Sequence, residues 1–168
     1  WISYTLGRTE LKVDGINDNE WYPTKYDQTH NLKLVGFYQL NARVSFSANF
    51  SYVTGTPTTF PTSRFVVQDV MIPHNANDSR NNIRIPDFHR LDLSVRIDGK
   101  KMKRGKERKI EDYFAIGVYN AYARKNPFSI YFSQADERYL PGQFVNSEAT
   151  KVSIVGTVIP SISYNFKF

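Results

Sequence analysis

A chain of 168 residues is enough for one ordinary domain. It carries no Cys, which excludes disulfides and thiolate metal sites, and its net charge of +6 comes from 22 Lys+Arg against 16 Asp+Glu. Much of that excess sits in one run, Lys100 to Lys109, so it reads as a local feature rather than a general affinity for nucleic acid or anionic lipid.

Aromatic residues make up 15% of the chain and Met only two positions, a composition that favours strands over helices. No stretch approaches the roughly 18 apolar residues that a transmembrane helix requires. The mean hydropathy of -0.48 does not exclude a membrane barrel, whose lipid-facing and lumen-facing residues alternate and cancel.

Six strands are predicted, over residues 1–12, 29–40, 42–54, 89–99, 111–133 and 151–168. The first opens on Ile2, Tyr4 and Leu6 against Ser3 and Thr5. A polar, aromatic-bearing loop, 13–28, follows. In the second, Leu32, Leu34, Gly36, Tyr38 and Leu40 share one parity, and Asn31, Lys33, Val35, Phe37 and Gln39 the other. The link near Leu40–Asn41 is very tight. The third sets Val44, Phe46, Ala48, Phe50 and Tyr52 against Arg43, Ser45, Ser47, Asn49 and Ser51. Residues 55–88 form a long loop rich in Pro, Asn and Asp. The fourth strand sets Leu91, Leu93, Val95 and Ile97 against Arg90, Asp92, Ser94, Arg96 and Asp98. A basic turn, 100–110, leads into the fifth, read as one long strand, bent or bulged, with Pro127 at a bulge or above the lipid; the alternative is a turn over Tyr122–Pro127, which would add a strand and put the C-terminus on the outer side. After a further long loop, 134–150, the last strand sets Ile162, Tyr164, Phe166 and Phe168 against Ser161, Ser163, Asn165 and Lys167. A side-chain period of two gives each strand an apolar and a polar face. Long and short connections alternate, as in an outer-membrane barrel with short periplasmic turns and longer outer loops.

Several segments carry a family resemblance. They are Trp1-Ile-Ser-Tyr-Thr-Leu-Gly-Arg-Thr9, Asp27-Gln-Thr-His-Asn-Leu32, Phe50-Ser-Tyr-Val-Thr-Gly-Thr-Pro57, Arg84-Ile-Pro-Asp-Phe-His-Arg-Leu-Asp-Leu-Ser94, Tyr119-Asn-Ala-Tyr-Ala-Arg-Lys-Asn-Pro-Phe128 and Ile159-Pro-Ser-Ile-Ser-Tyr-Asn-Phe-Lys-Phe168. In this order they resemble the last strands of TonB-dependent outer-membrane receptors of Bacteroidetes type. The end is closer to receptors with a carboxypeptidase-regulatory-like N-terminal domain than to the glycan-importing SusC branch.

The resemblance implies an all-β fold: about six antiparallel transmembrane strands of a barrel of about 22, closed around a plug. It implies residence in the outer membrane of a Gram-negative bacterium and import of a scarce or large ligand, such as a siderophore, glycan or peptide. The implied partners are the rest of the barrel, the plug and, through the plug, TonB. They also include the barrel-assembly machinery, a surface lipoprotein lid and membrane lipid, but no nucleic acid. The plug and the upstream strands would lie outside residues 1–168, which would not fold alone. Residues 1–12 would pair with an upstream strand, and 151–168 with the receptor's first strand. A soluble or small-barrel structural or binding β-domain is the alternative.

Candidate residues follow from these faces. Arg43, Asn49, Arg90, Asp92 and Arg96 are expected to face the lumen, although a solvated sheet face would give the same pattern. Leu91, Leu93, Val95 and Ile97 would then face lipid. Tyr164, Phe166 and Phe168 look like a C-terminal assembly signal at the periplasmic aromatic girdle. Lys100 to Lys109 lacks interleaved aromatics and reads as a solvated turn. Asp14, Asn17, Asp18, Asn19 and Glu20 are hard oxygen ligands, but their spacing does not fit a calcium-binding EF-hand, so a polar loop is expected. Trp21, Tyr22 and Tyr26 would contact a ligand or the membrane rim. His89, Asp92 and Ser94 invite a hydrolase reading, but on a strand His89 and Asp92 point to opposite faces. His30 and His74 stand alone. No enzyme activity, cofactor or metal is expected.

Overall fold

The computed structural model describes residues 1–68, 70–75, 79–100, 102–103, 106–107, 110–134 and 147–168. Its centre is one six-stranded antiparallel sheet. The strands are β1 (Ile2–Leu6), β2 (His30–Gln39), β3 (Val44–Val53), β4 (Phe88–Asp98), β5 (Glu111–Tyr119) and β6 (Ile159–Lys167). They lie in chain order, each beside its predecessor. The sheet is open, with β1 and β6 at its edges.

The register carries the sequence alternation across the whole sheet. Residues directly opposite on antiparallel strands project to the same side. Leu93 faces Ala48 and Val118, Val95 faces Phe46 and Ile116, and Ile97 faces Val44 and Phe114. Phe50 in turn faces Leu34, Leu34 faces Ile2, and Ile116 faces Ile162. These residues make one apolar face running from β1 to β6. The other face is polar: Arg96 lies opposite Ser45 and Ala115, Asp92 opposite Asn49, and Gly117 opposite Ser161.

Among the described residues no second layer covers either face. Leu93 is 43% exposed, Ile116 47% and Ile162 74%. Among the described residues Tyr22 is the buried hydrophobic one, and the buried polar ones are Asp27, Ser45 and Asn120. Tyr22, Asp27 and Asn120 all belong to connections rather than to the sheet.

The connections segregate by length. At one end, β2 and β3 are joined by Leu40–Arg43, where the Asn41 carboxamide oxygen accepts from the Arg43 and Val44 amides at 2.9 Å. Such an Asx turn is the reason Asn suits a tight link. The connection between β4 and β5 and the end of β6 lie at this same end. At the other end are 7–29, 54–87 and 120–158, each with pairing of its own. Glu10–Leu11 pairs with Tyr22–Pro23, Pro57–Thr58 with Ile83–Arg84, and Ser63–Val67 with Val70–His74.

Three predicted boundaries are corrected. The strand predicted over 1–12 ends at Leu6 and resumes as Glu10–Leu11 away from the sheet. The strand predicted over 111–133 is two strands. It leaves the sheet at Tyr119, because Asn120 and Ala123 adopt left-handed backbone with φ of 56° and 54°. Ser129–Gln134 then pairs with Ser147–Val152 in a separate hairpin, and Pro127 lies in the link rather than at a bulge. The final strand therefore begins at Ile159, not at 151. The inserted hairpin returns the chain to the end it left, so the direction of β6 is as expected.

Candidate functional site

The polar face of β4 and β5 carries a repeated unit. Asp98 lies opposite Tyr113, and one step beyond the paired stretch Asp92 takes the same position relative to Tyr119, where its Oδ1 accepts the Asn120 amide at 3.0 Å. Two residues before each Asp on β4 stands an Arg. Arg96 bonds Asp98 at 2.7 Å and lies over the Tyr113 ring at 3.8 Å. Arg90 bonds Asp92 at 2.9 Å, lies over the Tyr119 ring at 4.0 Å and donates to the Tyr119 hydroxyl. A guanidinium can satisfy a carboxylate in its plane and a ring across its face at once. Arg43 joins the same face at the short-connection end, donating to the Asp98 carbonyl at 2.8 Å. With Arg96, Asp98, Tyr113, Asn165 and Lys167 it borders a concave space of about 1200 Å³. Asn49 lies opposite Asp92 and is exposed. All five residues expected on the polar side, Arg43, Asn49, Arg90, Asp92 and Arg96, therefore share that side.

The long-connection end is built differently. Four asparagine side chains each clamp a distant or turning backbone by giving and taking one hydrogen bond: Asn17 on Arg80, Asn82 on Phe60, Asn120 on Arg124 and Asn126 on His89. A carboxamide offers a donor and an acceptor in the geometry of a peptide, so each Asn stands in for a missing strand neighbour. Asn120 is 1% exposed, and its Nδ2 donates also to the Thr157 carbonyl at 3.2 Å.

Charged groups tie the same loops together. Asp27, 1% exposed, pairs with the Arg84 guanidinium and accepts the Thr9 amide at 2.6 Å. Arg84 also donates to the Asp27 carbonyl at 3.0 Å and the Gly55 carbonyl at 3.1 Å. Asp87 accepts from the Tyr52 hydroxyl at 2.5 Å and the Gly55 amide at 2.9 Å, while its carbonyl takes a bond from Arg124 at 3.0 Å. Gly55 is required here, since a Cβ would drive into the Ile85 carbonyl oxygen. Burial pushes the Asp27 carboxyl up, but the Arg84 bond, the Thr9 amide and nearby positive charge outweigh it and hold it below the usual carboxylate range. The Tyr52 hydroxyl and the Gly55 amide hold Asp87 low as well.

The remaining candidates separate. Asn17, Asp18 and Asn19 form a left-handed turn with φ of 51°, 54° and 62°. Asn19 accepts the Gly15 amide at 2.7 Å and Asn17 the Arg80 amide at 2.5 Å, so two of these side-chain oxygens are engaged within the protein. Among the described residues no group of three His, Asp or Glu is placed to hold a metal. Trp21 and Tyr26 are exposed, and Tyr22 is buried under its own loop. His89 projects on the apolar side with Tyr52, bonded to the Tyr122 hydroxyl at 2.7 Å, while Asp92 and Ser94 project on the other. His30 meets the Tyr4 hydroxyl at 2.8 Å, and His74 packs against Phe65. Tyr164 and Phe166 continue the apolar face, stacked from Phe114 at 4.6 Å through to Phe168. Within Lys100 to Lys109, Met102–Lys103 pairs with Lys106–Glu107, and residues 101, 104, 105, 108 and 109 lie outside the described residues.

The loop clamps were not foreseen from the sequence. Their signal was the density of Asn and the Thr54-Gly-Thr56 step, which sequence reading placed only within family-like segments. Among the described residues no helix is long and apolar enough to cross a membrane, which leaves crossing by strands untouched. No protein-family model matches the chain, and no curated protein or solved structure matches it significantly.

Proposed function

We propose that residues 1–168 form part of the wall of an outer-membrane β-barrel, in a TonB-dependent receptor that imports a scarce or large ligand. The observation that carries this reading is the apolar face extending from β1 to β6 with no layer over it among the described residues. Water is a poor neighbour for such a face, at about 25 cal/mol for each Å², whereas lipid is a good one. On the opposite face the Arg–Asp–Tyr units suit a polar lumen around a plug. The short connections would lie in the periplasm and the clamped long ones outside, where a lipoprotein lid would cover them.

The open edges have a consequence in lipid. Each unpaired backbone group there costs several kcal/mol, so β1 and β6 need partner strands. Six strands are also fewer than the roughly eight of the smallest known barrels of this kind. Further strands of the same receptor are the simplest source, with TonB acting through the plug and the assembly machinery reading Tyr164, Phe166 and Phe168.

Topology can be tested in cells, because residues 1–168 contain no Cys and single ones can be introduced once any Cys elsewhere in the receptor is replaced. Tyr26→Cys, in a long connection, should react with an impermeant maleimide on intact cells. Leu40→Cys, at the short-connection end, should react only after the outer membrane is breached. The reverse order would invert the orientation, and equal labelling of both in a soluble fraction would remove the membrane altogether.

A further inference from the structure

Between the connections 7–29 and 54–87 lies a shallow, open cup of about 370 Å³, bordered by Asn17, Trp21, Tyr22, Arg80 and Asn81 among others. Its frame is fixed. Asn17 clamps the Arg80 backbone at 2.5 and 3.1 Å, and Asn81 donates to the Pro23 carbonyl at 2.8 Å. Tyr22 is 6% exposed and held by pairing with Leu11. Two side chains of the border are not used by the frame. The Trp21 indole is 62% exposed. The Arg80 guanidinium has no ion pair or hydrogen bond among the described residues, whereas Arg8, Arg84, Arg90 and Arg96 each hold a carboxylate. Among the described residues the border contains no Asp or Glu, and the charge of its other arginine, Arg84, is committed to Asp27.

We propose that this cup binds a small monocyclic carboxylate. Its volume is near the lower end of small-ligand sites, which run from about 300 to 1,000 Å³, so a single ring suits it better than an extended ligand. An exposed indole offers an apolar face to a flat or chair-shaped ring. A guanidinium recognises a carboxylate with two parallel hydrogen bonds, which a bare positive charge does not. The ring acid has two chemical sources, an acidic sugar or an aromatic acid, and both present the same pair of features. The site is built by the loops alone and does not depend on what covers the apolar face.

The chain contains two Trp, so Trp1→Phe leaves Trp21 as the reporter. The complete protein that contains residues 1–168, carrying this change and with any Trp outside them replaced by Phe, would be purified in detergent micelles and titrated with glucuronate and with benzoate while its emission is followed. Glucose and acetate supply the ring and the carboxylate separately. Circular dichroism before each titration establishes that the strands are present. A saturable change is expected with at least one ring acid: glucuronate alone identifies the sugar, benzoate alone the aromatic acid, and both a site indifferent to ring type. Glucose and acetate should bind about tenfold more weakly or worse, and Arg80→Met should weaken the ring acid by about tenfold or more. Because the Arg80 guanidinium holds no ion pair or hydrogen bond among the described residues, this variant should retain the parent dichroism, and Arg80→Lys should recover part of the binding. The proposal fails if neither ring acid saturates in the folded chain, if acetate binds as tightly as they do, or if Arg80→Met responds like its parent.

Discussion

The sheet and the cluster of long connections are stabilised in opposite ways. In the sheet, side chains alternate and backbone groups bond strand to strand, yet hardly any side chain is buried. In the connections the backbone pairs only in short stretches, yet Asp27, Asn120 and Tyr22 are buried and several turns are held by a side-chain carboxamide or carboxylate. On the proposed reading, the sheet is a wall whose faces meet lipid and lumen, and such a wall needs little protein core. Loops projecting beyond it have no lipid to lean on, and polar bonds must give them a fixed shape. The two regions should therefore respond differently to substitution.

The largest effect is expected in the loops. Arg84→Met leaves the Asp27 carboxylate buried without its counter-charge, at a cost of about 3–5 kcal/mol. The damage should be local. Proteolytic cutting within 7–29 and 54–87 should rise sharply while the dichroism of the strands changes little. Loss of the whole sheet at the same dose would mean that loops and wall are one cooperative unit.

The next effect separates the faces of the wall. Leu93→Arg should cost about 2–4 kcal/mol when the protein unfolds from lipid vesicles, if Leu93 lies near the bilayer midplane. Ser94→Arg, its neighbour on the polar face, should cost far less. Equal costs at the two positions would contradict a lipid-facing apolar side.

The smaller clamps come after these. Asn120→Ala removes the side-chain bonds to Arg124 and Thr157 and places a less tolerant residue at φ 56°, for about 2 kcal/mol in denaturant unfolding. Asn120→Asp keeps the acceptor for the Arg124 amide and loses the donor, so it should fall between Asn120→Ala and the parent.

The sheet was readable because a period of two is written into neighbouring residues: Leu91 to Ile97 against Arg90 to Arg96 determines both faces without knowledge of any other strand. The loops were not readable, because their partners are far apart in sequence. Arg84 and Asp27 are 57 residues apart, and Asn17 and Arg80 are 63. A continuous strand over 111–133 was preferred to a turn at Tyr122–Pro127 for a related reason. Phe128, Ile130 and Phe132 keep the parity of Phe114 and Ile116, so alternation continued across a link that the left-handed backbone at Asn120 and Ala123 takes out of the sheet.

The smallest effect at neutral pH belongs to acid. Asp27 and Asp87 are both held below their ordinary range in the folded protein. Their contribution is therefore complete above the unfolded value of about 3.9 and is lost as pH falls through the lower folded values. Loop proteolysis by an acid-tolerant protease should stay flat from pH 7 to about pH 4 and climb only below it. A climb already at pH 6 would show that other groups hold these loops.

The contrast rests most heavily on the claim that one face of the sheet meets lipid. Spin labels placed singly from Arg90 to Asp98, with the protein in bilayers, test it directly. Collision with oxygen, which concentrates in lipid, should peak at Leu91, Leu93, Val95 and Ile97. Collision with a water-soluble relaxer should be higher at Arg90, Asp92, Ser94 and Arg96. A flat profile, or oxygen maxima on the arginine-bearing side, would contradict the account.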